Sequence, residues 1–362
     1  MPFAMPPSGQ NFYARLLRPL LFRLDAEAAH RLTITALSLM PPLGRAADAP
    51  QLATTVFGVS FANPIGLAAG VDKDARAIAG WNAIGFGFAE LGTITPRPQP
   101  GNLRPRMWRL PEHRALINRL GFPGQGMEVA GARLAKLGGR RPAMRIGLNF
   151  GPNKDTPAER VAADYAMLAR RLAPLADFVV VNLSSPNTPG LREWQAPERM
   201  RAVVEAVRGA AAPDVPRTPI LIKIAPDLEP RHLREICAAA IDLAIDGIVA
   251  TNTTLKRDEL GVPSALAGGL SGAPMRALAR KTITRVYHDT HGGIPIIGVG
   301  GVANADDAYG HICAGASLIE FYTAMVYGGP GLVRAIKRGL VDLLARDGFR
   351  SISEAVGSAA DR

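Results

Sequence analysis

The chain has 362 residues, 48% of them apolar and 20% charged, enough for a large buried core and for more than one small module. Its formal charge is +11, but the excess is mostly arginine scattered among helix-like stretches with no aromatic–basic ladder, so no nucleic-acid partner is expected. The two cysteines, Cys237 and Cys313, lie among Ala and Ile without C-x-x-C or metal-ligand spacing, which argues against a disulfide framework and against a metal site.

Residues 1–45 stand apart from the rest. Phe12, Tyr13, Leu16, Leu17, Leu20, Leu21 and Leu24 form one apolar stripe with Asn11, Arg15 and Arg18 opposite, and Pro19 is expected to kink or split that helix. Asp25 then caps a second amphipathic stretch through Ala29, Leu32, Ala36 and Leu39, which Pro41-Pro42 ends. No run reaches the roughly 18 apolar residues of a membrane span. Nor does a basic segment, an apolar core and a cleavage site mark a secretory signal. Five arginines against two acids leave two readings open. The segment is a helical hairpin packed on the main domain, or an interfacial anchor with leucines among acyl chains and arginines at lipid phosphates.

From residue 64 onward, short apolar runs alternate with helix-period stretches. The runs are 65–71, 88–95, 145–150, 178–183, 220–224, 247–251, 294–299 and 318–323. Most are continuously apolar, as parallel strands buried on both faces require. Thr156-Pro157-Ala158-Glu159 reads as a capping box ahead of Val161, Tyr165, Leu168 and Leu172, and a similar stripe runs through Val333, Ile336, Leu340 and Leu343. Eight strand–helix units predict an α/β fold: a (β/α)₈ TIM barrel over 46–362 with a small N-terminal amphipathic helical extension over 1–45. An open doubly wound sheet is the alternative, but no G-x-G-x-x-G follows the first strand.

Barrel chemistry sits at the C-terminal ends of strands. Those ends carry Ala69, Gly70, Val71, Asp72 and Lys73, then Thr93, Asn149, the run 182–188, Lys223, Thr251, Asn252 and Thr253, Gly300-Gly301, and Tyr322-Thr323. Amides both donate and accept, which suits a flat ring with alternating N–H and C=O groups. Lysines suit an anion, and a glycine-rich end after strand seven suits a phosphate. Each feature alone has a bland reading, a turn or a solvated charge. It is their common rim that points to a site.

Several longer motifs carry a resemblance. Ala68-Ala69-Gly70-Val71-Asp72-Lys73-Asp74, Gly92-Thr93-Ile94-Thr95-Pro96-Arg97-Pro98-Gln99-Pro100-Gly101-Asn102, Ile117-Asn118-Arg119, Asn182-Leu183-Ser184-Ser185-Pro186-Asn187-Thr188-Pro189-Gly190 and Ile297-Gly298-Val299-Gly300-Gly301 resemble the dihydroorotate dehydrogenases, of the membrane-associated, quinone-reducing class. The likeness spans residue 11 to about 340. It implies FMN contacts at Ala69, Gly70, Val71, Asp72, Lys73, Thr93, Asn149, Asn182, Lys223, Thr251, Gly272, Gly301, Tyr322 and Thr323. It implies dihydroorotate contacts at Lys73, Asn118, Arg119, Leu120, Gly121, Phe122, Asn182, Asn187, Asn252 and Thr253. Ser185 matches the family's catalytic base, Thr188 the start of its proton relay, and Phe122 the shield against solvent. His30, Arg109 and Tyr322 resemble the quinone-head pocket. Pro123, Pro152 and Gly328 depart from the family's usual residues.

The resemblance therefore implies oxidation of dihydroorotate to orotate in de novo pyrimidine (UMP) synthesis, with FMN as carrier and a membrane quinone as acceptor. It also implies peripheral association with an anionic membrane, expected at the cytoplasmic face of a bacterial inner membrane. The alternatives are a soluble-type enzyme using fumarate or NAD, and a non-redox barrel using Lys73 or Lys223 as a Schiff base.

Overall fold

A computed structural model describes residues 12–210, 217–262 and 265–360; Asn11 lies outside them. Thirteen strands are named in chain order. A hairpin, β1 (Thr54–Val56) and β2 (Val59–Phe61), precedes β3 (Ile65–Leu67) and β4 (Phe88–Ile94). Then come β5 (Met107–Leu110), β6 (Ala115–Asn118), β7 (Arg145–Phe150), β8 (Phe178–Asn182), β9 (Ile220–Ile224) and β10 (Gly247–Ala250). The last three are β11 (Gly269–Gly272), β12 (Ile296–Val299) and β13 (Ala316–Phe321). The eight expected strands, β3, β4, β7, β8, β9, β10, β12 and β13, close into a parallel barrel in chain order. The open-sheet alternative is thereby removed.

Chain continuity and burial explain the order. Each strand hands off to a helix that returns outside the barrel, so parallel neighbours follow one another in sequence. Strands β8, β9 and β10 are buried at every position, as expected for runs that alternate between the barrel interior and the helix layer. The bottom is plugged by the β1–β2 hairpin, whose Phe61 packs with Phe88 and Phe178. Gly66 and Gly147 make room for those rings, since a Cβ on either would overlap Phe88 or Phe178.

Some local expectations are corrected. Thr156 does not cap a helix. Its hydroxyl donates to Asp164 at 2.6 Å, and a short 3₁₀ turn, Ala158–Arg160, precedes the α-helix Val161–Leu172. The expected face Val161, Tyr165, Leu168 and Leu172 is nonetheless buried. In the helix Gly331–Asp347, Leu344 rather than Leu343 completes the buried stripe. Pro19 does mark a division of the first helix, as expected: a wide turn, Tyr13–Leu17, in which the Arg18 N–H reaches back to the Tyr13 carbonyl, gives way to a separate α-helix, Arg18–Phe22, with Pro19 in its first turn.

That first helix and the next, Ala26–Ser38, lie over the barrel rim. Asp25 caps the second as expected, accepting from the Ala28 N–H at 3.0 Å. Tyr13, Glu27, Ala29 and Ile34 face inward. Leu16, Leu20, Leu32 and Leu39 face outward with 52, 53, 52 and 79% exposure, and Ala36 is exposed with them. The apolar stripe is therefore largely turned to the outside, not into the fold. Among the described residues no helix is long and apolar enough to cross a membrane.

A feature with no forerunner in the sequence reading is a three-stranded antiparallel sheet, β5–β6–β11, built from two barrel loops. Ile117 faces Leu270 and Asn118 faces Gly269, which fixes Asn118 above the barrel mouth.

Candidate active site

The floor of the site lies where β4, β7, β8, β9 and β13 end. Lys223 Nζ donates to Glu90 at 2.8 Å and stands 3.9 Å from Glu320, and both acids are fully buried. Burial by itself would push each group toward its neutral form. Lys223 and the hydrogen bonds from its neighbours override that for Glu90 and hold its carboxyl below the usual range. The two acids in turn raise Lys223, so it stays charged. Glu320 receives no donor on either oxygen. Burial and the Glu90 charge push it well above the carboxylate range, so it keeps its proton. The cluster thus carries one cation, one anion and one neutral acid.

Above it, Asn149 donates to Glu90 and accepts from the Thr93 hydroxyl (2.6 Å) and from Asn182 (3.1 Å). Thr93, Asn182 and Lys223 open into a cavity of about 850 Å³, whereas Asn149 lies just beneath it. Lys73, Asn118, Leu120, Gly121, Phe122, Ser185, Asn187, Asn252 and Thr253 line the same cavity. Ser185 sits on the loop after β8, 5% exposed, its Oγ accepting from the Asn187 N–H at 3.2 Å. Arg192 pins that loop by donating to the Ser184 and Thr253 carbonyls and to Asp227. Asn187 donates to Asn118 at 3.3 Å, joining this loop to the antiparallel sheet. Lys73 donates to the Gly70 carbonyl at 2.5 Å, and burial lowers its pKa to about 8.

At the far end the wall is backbone. Gly272 and Gly301 take φ of +108° and +74°, and a Cβ on either would strike Arg114 or Arg276 backbone. Arg276 lines this end and pairs with Asp307 at 2.6 Å, and His311 bonds the Gly300 carbonyl at 2.8 Å. Ala69, Gly70, Thr251, Tyr322 and Thr323 line the cavity between floor and far end.

The cavity continues to the N-terminal helices, where Ala14 and Arg18 line it opposite Tyr327 and Gly328. His30 lies 3.4 Å from the Tyr322 hydroxyl, and burial followed by the nearby Lys73 charge lowers its pKa to about 3. Its imidazole is therefore neutral at ordinary pH. Arg109 donates to the Leu21 and Leu24 carbonyls at a helix end and stacks on Phe22 at 4.7 Å, and it is not among the residues that line the cavity.

Not every proposed contact faces the cavity. Asp72 is turned away, accepting from the Arg76 and Ala77 N–H groups and from Trp81. Val71 is buried beside it. Arg119 points outward, donating to the Pro105 carbonyl and lying over Trp108. Thr188 is buried and outside the cavity lining. Sequence reasoning missed Glu90, Glu320, Arg276 and Arg18. A signal existed for the two acids, each the one charged residue of a buried strand, which demands a buried partner.

A closed parallel barrel with amides, buried lysines and a hydroxyl gathered in one cavity on its C-terminal rim is the arrangement of a barrel enzyme. The family model described as dihydroorotate dehydrogenase matches residues 51–344. The chain is 51% identical over 348 residues to a dihydroorotate dehydrogenase (quinone) of Anaeromyxobacter sp. (strain Fw109-5), covering 94% of this chain and 96% of that one. It is 51% identical to the protein of the same name from Roseiflexus sp. (strain RS-1), covering 96% and 98%. The crystal structure of DHODH from Eimeria tenella in complex with ferulenol superposes with a TM-score of 0.87 at 35% identity, covering 93% of this chain and 98% of that one. The chain belongs to the dihydroorotate dehydrogenase family.

Proposed function

We propose that this chain oxidises dihydroorotate to orotate on a bound FMN and passes the electrons to a membrane quinone, a step of de novo pyrimidine (UMP) synthesis. The observation that carries this reading is one continuous cavity, which joins the amide-lined floor at Asn182 and Lys223 to the underside of the N-terminal helix at Ala14 and Arg18. The quinone-linked name of the relatives supports the choice of acceptor.

The residues present fit FMN. Gly272 and Gly301 bring backbone to the wall at the end where Arg276 supplies positive charge, which suits a phosphate. Thr93, Asn182, Lys223 and Thr251 offer donors and acceptors to a flat ring, with the Lys223 charge where electron density accumulates. When bound, FMN supplies the two-electron carrier between the half-reactions. Lys73, Asn118, Asn187, Asn252 and Thr253 orient dihydroorotate, with Lys73 facing its carboxylate. Ser185 takes the C5 proton while its own hydroxyl proton passes on toward Thr188, because a serine alone is too weak a base. Phe122, held in place through Gln99, which donates to its carbonyl at 3.0 Å, excludes water.

Residues 1–45 act as a distinct membrane-facing segment on the barrel of 46–362. Its outward leucines, flanked by exposed Arg15, Arg23 and Arg31, make an apolar patch with a cationic border. That patch suits peripheral binding to anionic lipid, at the cytoplasmic face. Tyr322 lines the quinone's approach to the flavin, with His30 beside its hydroxyl. Anaerobic mixing tests the whole reading: dihydroorotate should bleach the flavin band, and a quinone analogue should restore it. A purified protein without flavin, or a flavin that dihydroorotate leaves oxidised, would overturn it.

A further inference from the structure

The amides beneath and along the cavity form one directed chain. Asn149 gives its Nδ2 to Glu90, so its Oδ1 is left for Thr93 and Asn182. Asn182 therefore turns its Nδ2 toward Asn149 and its Oδ1 toward Ser184 and Asn252, at 3.2 and 3.4 Å. Asn252 donates from Nδ2 to the Asn182 Oδ1 and to the Ser184 Oγ, and its own Oδ1 accepts from the Thr253 N–H at 2.7 Å. Every link runs head to tail.

An amide is nearly symmetric in shape, so packing alone does not choose between its two orientations. Only the end of the chain can. A carboxylate accepts and never donates. We infer that Glu90, which does not line the cavity, is a positioning residue that sets the donor–acceptor polarity of Asn149, Asn182 and Asn252 and so selects the hydrogen-bond pattern of the ring bound above them. Reversing any one amide would face N–H₂ with N–H₂, or oxygen with oxygen, in a buried site.

The neighbouring groups explain why Glu90 and not Glu320 plays this part. Lys223 is 2.8 Å from Glu90 but 3.9 Å from Glu320, so the negative charge resides where the amide chain begins. Were the proton to sit on Glu90 instead, that acid would become a donor and the chain could run backward.

This inference rests on the assignment of the cavity to flavin and dihydroorotate, and the test separates the two. The probe is orotate, titrated into oxidised holoenzyme and read from the flavin absorbance change. Wild type should bind, and failure to bind would overturn the cavity assignment itself. Glu90→Gln keeps the shape but can offer either end of an amide. Orotate affinity should fall by at least about tenfold while flavin remains bound.

The double variant Glu90→Gln with Asn149→Asp restores polarity by moving the acceptor one link along. Its new carboxylate can accept from residue 90, Thr93 and Asn182 together, so affinity should recover by at least about threefold over the single variant, in which Lys223 has lost the same partner. A role in packing alone predicts the opposite, since two changes disturb the site more than one. Wild-type affinity in Glu90→Gln, or a double variant no better than the single one, would overturn the inference. If Glu90→Gln does not accumulate as a folded holoenzyme, the double variant decides alone: recovery of a folded holoenzyme that binds orotate supports the inference, and failure to recover one overturns it.

Discussion

Replacing Glu27 by alanine tests how the N-terminal helices are joined to the barrel. The Glu27 carboxylate accepts from Arg106 Nε at 2.9 Å and Nη2 at 2.8 Å, and from Arg104 Nη2 at 2.9 Å. Those contacts, the Arg106 hydrogen bonds foremost, hold its carboxyl at about 2 against an ordinary 4.5. Such a depression corresponds to roughly 3 kcal/mol. Arg104 is 56% exposed, so its share is screened and about 2–3 kcal/mol is the fair figure. Arg106, 5% exposed, would keep only the Pro100 and Asn102 carbonyls as partners and leave its charge uncompensated.

The loss should be local, because the barrel closes without this contact. Hydrogen exchange along Ala26–Ser38 should accelerate by roughly 30- to 150-fold, the factor that 2–3 kcal/mol implies. Quinone reduction should fall while dihydroorotate oxidation with a small soluble dye persists. The pH dependence has a definite sign. Because the folded pKa is depressed, the contribution is complete above about 4.5 and is lost as pH falls toward about 2. Unchanged exchange protection in Glu27→Ala at neutral pH would refute the reasoning.

Ser185→Ala should slow flavin reduction by ~10²–10⁴ with flavin retained, and near-normal stopped-flow reduction would reject the base assignment. Ser185→Cys should keep part of the rate with a pH profile shifted toward thiolate formation. Lys223→Ala should weaken flavin binding and lower the flavin reduction potential, since a cation near the ring favours its reduced anion; spectroelectrochemistry checks the sign. Deleting residues 1–45 should leave a flavin-containing barrel that dihydroorotate still reduces. Long-chain quinone turnover and binding to anionic liposomes should collapse together. Full quinone reduction by the truncated protein would count against the access route past these helices.

Local sequence carried much of this protein. Continuous apolar runs placed eight strands because a strand buried on both faces takes few polar positions, and those only where a buried partner meets them. The ends of those runs then located Lys73, Thr93, Asn182, Ser185 and Lys223, since in a parallel barrel every strand end reaches the same rim. The helix face through Val161, Tyr165, Leu168 and Leu172 followed from period alone. Family motifs added roles for individual residues that periodicity does not assign.

Other features depended on which distant segments meet. Glu90 and Lys223 lie 133 positions apart, and nothing near either one names the partner. The sheet β5–β6–β11 pairs loops from opposite sides of the barrel, so its register exists only once the barrel has closed. The outward turn of Leu32 and Leu39 was equally hidden, because an amphipathic pattern tells that a helix has two faces and not which one meets the protein. Arg109 shows the same limit from the charged side: its guanidinium went to open carbonyls at a helix end that folding brought within reach. Burial pattern is written locally in the order of side chains, whereas pairing, polarity and charge state depend on distances across the fold, which only the tertiary structure sets.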